Sequence, residues 1–260
     1  MTRVNPVAAA GFSSAAVVYE RARPSYPPEA IAWLAERTGL GPGRTVVDLA
    51  AGTGKLTRLL VGTGARVVAV EPLAEMRALI PDGEVLDGTA EEVPLPASAT
   101  DVVTVAQALH WFDLDRALPE IDRILRPGGW LALVWNMRDL EDPVQRGVEE
   151  LLAPVRQVAV AHDPGDWRDP MAHSPLFGEP EVREFANVQH MDAVMLRERV
   201  ASTSFVAALP DAEREALLDR VTRLVAGVEE PFPFPYRTEV HVFPRSRDRG
   251  AAAGAASNEG

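Results

Sequence analysis

The residues of this 260-residue chain that can do chemistry follow short apolar runs. Residues 48–54 (DLAAGTG) place an acid, Asp48, at the end of the run Thr45–Leu49 and then a series of small residues. Glycine can adopt positive φ and leaves main-chain N–H groups open to an anionic ligand. Many strand-to-helix turns need glycine for packing alone, so this loop by itself does not identify a ligand.

Two further candidate sites follow the next apolar runs. Glu71 ends the run Arg66–Val70, and its carboxylate can accept both hydroxyls of an adenosine ribose. Thr89 and Ala90 follow the third run, where a short polar side chain and a backbone N–H can meet an adenine edge. Taken singly, each site also fits a solvated strand end or a turn. A parallel sheet brings all three to one rim, which predicts a ligand site there.

Strands that alternate with amphipathic helices must position these sites. The sequence predicts early strands at residues 45–49, 66–70, 84–87, 101–105 and 130–135, with helices at 29–37, 55–61, 73–79 and 114–125. It also predicts helices at 142–161 and 212–225, late strands at 182–192 and 236–243, and a loop at 162–180. The fold class is therefore α/β, a doubly wound Rossmann-like sheet of seven strands, mostly parallel, with an antiparallel late strand and an inserted cover.

Composition excludes several classes of protein. The chain has no cysteine, which excludes disulfides, thiolate catalysis and sulfur-ligated metal sites, and no spacing indicates a metal site. Its net charge of -12 argues against a nucleic-acid partner. No apolar run is long enough to cross a membrane and residues 1–10 do not resemble a signal peptide, so we expect a cytoplasmic protein, monomeric or homodimeric.

Five motifs, in their order and spacing, resemble the class I S-adenosylmethionine-dependent methyltransferases. The resemblance is to the ubiquinone/menaquinone-biosynthesis and trans-aconitate-methyltransferase-like type. It covers about residues 12–137 and returns near 236–243. The motifs are VDLAAGTG at 47–54, VEP at 70–72, GTAEEVP at 88–94, AQALHWF at 106–112 and LRPGG at 125–129.

The resemblance implies an enzyme that transfers a methyl group from S-adenosyl-L-methionine by in-line displacement and releases S-adenosyl-L-homocysteine. The expected acceptor is a small molecule, a carboxylate or a secondary metabolite. The family's usual first loop glycine is Ala50 here. The implied cofactor-binding residues are Tyr19, Arg23, Asp48, Ala50, Gly52, Thr53, Glu71, Pro72, Met76, Thr89, Ala90 and Gln107.

The expected organisation is an N-terminal helical gating segment at residues 1–41, a methyltransferase domain at 42–244 and a disordered tail at 245–260. Within the domain, 42–137 form the cofactor-binding core and 138–244 the acceptor-side cover and late strands. His110 is a candidate general base, although the motif around it also fits a residue that only shapes the pocket. Candidate acceptor contacts are His110, Trp111, Arg138 and Trp167.

Two other functions remain open from the residues. A nicotinamide-dependent oxidoreductase also has a glycine loop and an acid after the second strand. Asp48 before the loop and Thr57 in place of a third glycine weaken that interpretation. A protein that binds S-adenosylmethionine without methylating anything is the second alternative, because fold does not determine function.

Overall fold

The computed structural model describes residues 20–81, 83–158 and 167–246. The predictions for residues 1–19, which include Tyr19, lie outside these ranges. So do residues 159–161 of the expected helix, 162–166 of the expected loop and 247–260 of the expected tail. Within the described ranges no helix is long and apolar enough to cross a bilayer.

The described strands form one seven-stranded sheet in the order β3-β2-β1-β4-β5-β7-β6. Pairings from β3 to β5 are parallel, whereas β7 runs antiparallel to both β5 and β6. The predicted doubly wound α/β fold is therefore confirmed, including its late antiparallel strand. The strands are β1 (Thr45–Leu49), β2 (Arg66–Val70), β3 (Glu84–Leu86), β4 (Thr100–Ala106), β5 (Leu125–Arg138), β6 (Glu181–Met191) and β7 (Phe232–Pro244).

The central strands are apolar throughout because both faces of the sheet are covered. All five residues of β1 are buried. Successive side chains point to opposite faces. Val47 and Leu49 pack in one hydrophobic cluster with the helix Leu114–Ile124, while Val46 packs in the other cluster with the helix Pro28–Thr38.

Helices cover both faces of the sheet, and a 3-10 turn at Leu109–Trp111 follows β4. The first helix begins with Pro28, whose fixed φ suits a first helical turn, and ends at Gly39 with φ 65°. The helices are α1 (Pro28–Thr38), α2 (Lys55–Val61), α3 (Ala74–Arg77), α4 (Leu114–Ile124), α5 (Pro143–Val158), α6 (Arg168–Ala172), α7 (Ala193–Ala201), α8 (Ser204–Ala207) and α9 (Asp211–Leu224).

The second half of the chain departs from the sequence prediction in three places. The expected loop at 162–180 contains α6, and α7 and α8 occupy residues to which no element was assigned. Strand β5 is longer than the predicted 130–135, because Leu125 pairs with Thr100 of β4 at one end and β7 pairs with β5 as far as Arg138 at the other. Arg245, placed in the expected tail, instead donates hydrogen bonds to Asp122 at 2.6 and 3.1 Å.

The cover comprises helices α5 and α7–α9, which share a hydrophobic cluster of their own with the ends of β6 and β7. Leu152 of α5, Leu196 of α7 and Val221 of α9 meet there, together with Phe234 and Tyr236 of β7. This cluster stands apart from the two that sandwich the sheet. The cover is therefore anchored to the late strands, at the edge of the sheet away from β3.

Candidate functional site

A cleft lies at the carboxyl ends of β1 and β4, the position at which doubly wound sheets bind ligands. It encloses about 540 Å³, open solvent included. Its walls come from the glycine loop, from the ends of β4 and β5, from the N-terminal segment and from α7. The lining residues are Arg23, Pro24, Tyr26, Asp48, Ala50, Ala51, Gly52, Thr53, Lys55, Leu56, Ala106, Gln107, Asn136 and Arg199.

The loop between β1 and α2 turns through a series of left-handed residues. Ala50, Gly52 and Gly54 have φ of 56°, 58° and 82°. Alanine thus adopts the conformation that the usual glycine would adopt, at a cost of about 1–2 kcal/mol for an L-residue. A Cβ on Gly52 would meet nothing within 4 Å, so the backbone of this residue faces open space.

Asp48 holds the start of the glycine loop through hydrogen bonds to neighbouring elements. It is 1% exposed and accepts hydrogen bonds from the hydroxyls of Thr57 on α2, at 2.6 Å, and Thr104 on β4, at 3.1 Å. Burial raises the pKa of Asp48 to about 6, and the two hydroxyl donors oppose that rise. The carboxyl therefore joins three elements at the floor of the cleft.

Glu71, just after β2, holds the other side of the loop. Its carboxylate accepts the backbone N–H of Gly52 and that of Leu73, each at 2.9 Å. The residue is 5% exposed, and burial raises its pKa despite the two N–H donors. A carboxylate offers about four acceptor positions, so two remain for a ligand. Glu71 contacts the loop but does not itself line the cleft.

Gln107 closes the opposite wall after β4. Its φ of 57° is unusual for a residue with a side chain, and such strain concentrates at functional sites. The backbone N–H donates to the Val134 carbonyl at 3.0 Å and the side-chain amide to the Asn136 carbonyl at 3.3 Å. Gln107 is thereby held at the lip of the cleft, between β4 and β5.

Thr89 and Ala90 follow β3, near the edge of the sheet. The Thr89 hydroxyl oxygen is buried and has no hydrogen-bond partner among the described residues, which is unusual for a buried polar atom. Ala90 and Met76 are buried. None of the three lines the cleft itself.

Comparison with known proteins decides the family. A family model described as a methyltransferase domain matches residues 47–133. An uncharacterized methyltransferase of Mycobacterium tuberculosis is 43% identical over 221 residues, covering 83% of this chain and 85% of that protein. This chain belongs to the class I S-adenosylmethionine-dependent methyltransferases.

Other similarities agree with that assignment. The ubiquinone/menaquinone biosynthesis C-methyltransferase of Hahella chejuensis is 35% identical over 113 residues, covering 38% of this methyltransferase and 45% of that enzyme. The solved structure of a proposed type II methyltransferase from Anaeromyxobacter dehalogenans shares the fold, with a TM-score of 0.65 at 24% identity. That similarity covers 86% of this chain and 97% of the other.

The N-terminal segment of the methyltransferase, described from residue 20, lies over the cleft. Glu20 accepts the Thr53 hydroxyl and pairs with Arg58 at the glycine loop. The guanidinium of Arg23 donates to the Ser202 carbonyl at 2.8 Å. The Ser25 carbonyl accepts the side-chain amides of Asn136 and Asn187, at 3.1 and 2.8 Å. Contacts to both halves of the chain therefore hold this segment in place.

The aromatic candidates form a stack beside the cleft rather than its wall. The ring of His110 lies 4.6 Å from that of Trp111 and 5.5 Å from that of Trp135, centroid to centroid. Trp135 and Trp167 stack at 5.6 Å with their planes 4° apart. His110, Trp111 and Trp167 are absent from the cleft lining, and Trp167 is buried in the core. The described residues include no group of three or more His, Asp or Glu suited to a metal ion.

Sequence reasoning missed the cationic residue in the acceptor-side wall, Arg199. It lies on α7 with Leu196 and Val200, and all three are buried on one helical face. The available sequence signal was the spacing of Leu196, Arg199 and Val200, which is that of one buried helical face. It was missed because no helix was predicted at these residues. Arg138, which was a candidate, is partly buried and does not line the cleft, and desolvation lowers its pKa to about 10.

Proposed function

We propose that this methyltransferase transfers a methyl group from S-adenosylmethionine to a small molecule bound in the cleft. The supporting observation is the glycine loop at the carboxyl end of β1, whose Gly52 backbone faces open space while its N–H is held by Glu71. When bound, the cofactor supplies a methyl group on a positively charged sulfur. That group carries its own activation, so the chain mainly has to bind and orient.

The residues fit that cofactor in two respects. The carboxylate of Glu71 keeps about two acceptor positions beyond its N–H donors, which suits the two hydroxyls of a ribose. The buried Thr89 hydroxyl lacks a partner among the described residues, which suits a polar ring edge. Ala50 and Gly52 would hold the methionine part, with Gln107 at its end. The remaining assigned contacts are Arg23, Asp48, Thr53, Pro72, Met76 and Ala90.

Positioning, rather than proton transfer, is the proposed contribution of this chain. His110 does not line the cleft, so we assign it to shaping the aromatic stack. The segment from Glu20 to Tyr26 lies over the opening and would exclude water from the bound methyl group. The acidic surface, with a net charge of -12, favours a small-molecule acceptor over nucleic acid.

Calorimetry tests the proposal. S-adenosylmethionine and S-adenosylhomocysteine are titrated into the protein, with NAD and NADP as comparison ligands and Glu84→Gln as a surface control for Glu71→Gln. We expect micromolar binding of both sulfur ligands, lost in Glu71→Gln and kept in Glu84→Gln. Binding of a nicotinamide cofactor instead, or of none of the four, would overturn the proposal.

Turnover is tested separately. The protein is incubated with methyl-labelled S-adenosylmethionine and a panel of small carboxylic acids and phenols, and labelled product is measured by mass spectrometry. Methylated product supports the proposal. Tight cofactor binding without product on the whole panel would favour the non-methylating alternative.

A further inference from the structure

One guanidinium in the cleft wall lacks an acidic partner. Arg199 lines the cleft from α7 and is 8% exposed. Its Nε donates to the Tyr236 hydroxyl at 3.3 Å, and no carboxylate of the described residues pairs with it. A guanidinium has five N–H donors, and burying a charge without an opposite charge is costly. The geometry leaves most of these donors for another acceptor.

The surroundings of Arg199 are cationic. Tyr236, its hydrogen-bond partner, lies opposite Arg138 in the register between β5 and β7. Arg138 pairs with Glu149, which also pairs with Arg156 at 2.7 Å. Arg138 and Arg156 thus share one carboxylate, and Arg199 adds a third guanidinium without one. Burial and the neighbouring charge of Arg199 both lower the pKa of Arg138, so the two cations lie close enough to repel each other.

We infer that Arg199 binds a carboxylate of the methyl acceptor, so that the acceptor is an organic acid anchored at the α7 wall of the cleft. This inference rests on the proposed function and names the substrate class of the same site. A planar guanidinium matches a carboxylate through two parallel N–H donors, and an anion there neutralises the excess positive charge. The Tyr236 hydroxyl holds the Arg199 side chain.

The carboxylate of the cofactor does not account for Arg199. A second guanidinium, that of Arg23, lines the same cleft from the N-terminal segment, where it donates to the Ser202 carbonyl. The methionine part of the cofactor carries a single carboxylate. Lys55 is a third cation in the lining, and it pairs with Glu20 at 3.5 Å. One cofactor carboxylate does not account for both guanidiniums, so we assign Arg199 to the acceptor.

The experiment uses the full chain saturated with S-adenosylhomocysteine. Succinate, citrate and benzoate are titrated in by calorimetry, with succinamide as the uncharged analogue and glycerol 1-phosphate as the other oxyanion. The variants are Arg199→Gln and Arg199→Lys. Arg197→Gln is the matched control, because Arg197 lies on the same helix and pairs at the surface with Glu215 and Asp219.

We expect at least one carboxylate to bind and succinamide not to bind. Arg199→Gln should weaken the carboxylate about 30-fold, the effect of losing one charged hydrogen-bonded contact, and Arg199→Lys should weaken it less. Arg197→Gln should match wild type, and all variants should keep the wild-type affinity for S-adenosylhomocysteine.

Three results would overturn the inference while the proposed function stands. These are binding of S-adenosylhomocysteine without any bound carboxylate, tighter binding of glycerol 1-phosphate than of every carboxylate, or loss of S-adenosylhomocysteine binding in Arg199→Gln as the main effect. If Arg199→Gln fails to fold, the affinities for succinate and for succinamide are compared on wild type and on Arg199→Lys. Succinate that binds wild type no more tightly than succinamide does would then overturn the inference. Failure of S-adenosylhomocysteine to bind wild type counts against the proposed function itself.

Discussion

The two sides of the cleft are built in different ways. On the cofactor side, Asp48 reaches Thr57 nine residues along the chain, and the Gly52 N–H reaches Glu71 nineteen residues along. On the acceptor side, the Ser202 carbonyl at the end of α7 accepts a hydrogen bond from a guanidinium that lies 179 residues earlier in the chain. The first side is a local product of successive βα units, whereas the second exists only after distant segments have met.

The two sides also differ in charge. The cofactor side contains the buried acids Asp48 and Glu71, whose pKa values burial raises. The acceptor side contains the buried base Arg199 and the partly buried Arg138, and desolvation lowers the pKa of Arg138. Desolvation disfavours the charged form in both cases, so it acts in opposite directions on acids and bases. We therefore expect substitutions on the cofactor side to change cofactor binding and substitutions on the acceptor side to change acceptor binding.

The largest effect is expected at Glu71. Glu71→Gln keeps a similar shape but removes the charge and half of the acceptor capacity, so two charge-assisted contacts of about 2 kcal/mol each are lost. Affinity for S-adenosylhomocysteine should fall about 1,000-fold, measured by calorimetry. Arg199→Gln should leave that affinity unchanged, so the two variants test the two sides of the cleft separately. Equal losses in both would mean that the cleft is not divided in this way.

The next effect is a pH dependence at Asp48. Between its ordinary value of 3.8 and the native value of about 6, the folded carboxyl holds a proton that the unfolded chain releases. Its contribution therefore favours folding below about pH 4 and declines by about 3 kcal/mol as pH rises through 6. Urea unfolding from pH 4 to 7 should show a decline about 3 kcal/mol larger in wild type than in Asp48→Asn, because the other carboxyl groups, Glu71 included, titrate in both proteins. Parallel curves for the two proteins would contradict a raised pKa at this site.

A smaller effect is expected where the N-terminal segment meets the late strands. Asn187→Ala removes the hydrogen bonds to the Ser25 carbonyl and to the Asn136 side chain, at 2.8 and 3.0 Å. In this exposed setting we expect a loss of about 1 kcal/mol and amide hydrogen exchange about 5-fold faster over residues 20–26. Val188→Ala, on the exposed part of the same strand, is the control. Unchanged exchange would show that other contacts hold the segment.

The smallest effect is a gain in stability at Ala50. Its φ of 56° costs an L-residue about 1–2 kcal/mol, while glycine loses about 0.5–1 kcal/mol of backbone entropy on folding. Ala50→Gly should therefore raise the free energy of unfolding by about 0.5–1 kcal/mol. The neighbouring Ala51, which has no positive φ, should lose stability when changed to glycine. Both are read from urea unfolding, and a loss in Ala50→Gly would show that the loop is not strained there.

Sequence patterns predicted the cofactor side closely. The bounds of β1, α2 and β2 are those expected, because apolar runs broken by glycine define them locally. Glu71 was placed correctly beside the loop for the same reason, since parallel strands must bring their carboxyl ends to one rim. The cover was predicted poorly. Helix α7 was not assigned, because its buried face includes Arg199 and so interrupts the apolar stripe.

The sequence by itself determined the α/β fold and the bounds of β1, α2 and β2, since these depend on periodicity and on turns within a few residues. Only the tertiary structure decided which distant residues form the acceptor-side wall. It placed Arg199 beside Tyr236, buried Trp167 against Trp135 and set Asn136 under the N-terminal segment. Those contacts join segments that lie far apart in the sequence. No local pattern marks which of their residues will meet, because tertiary packing and not local propensity brings them together.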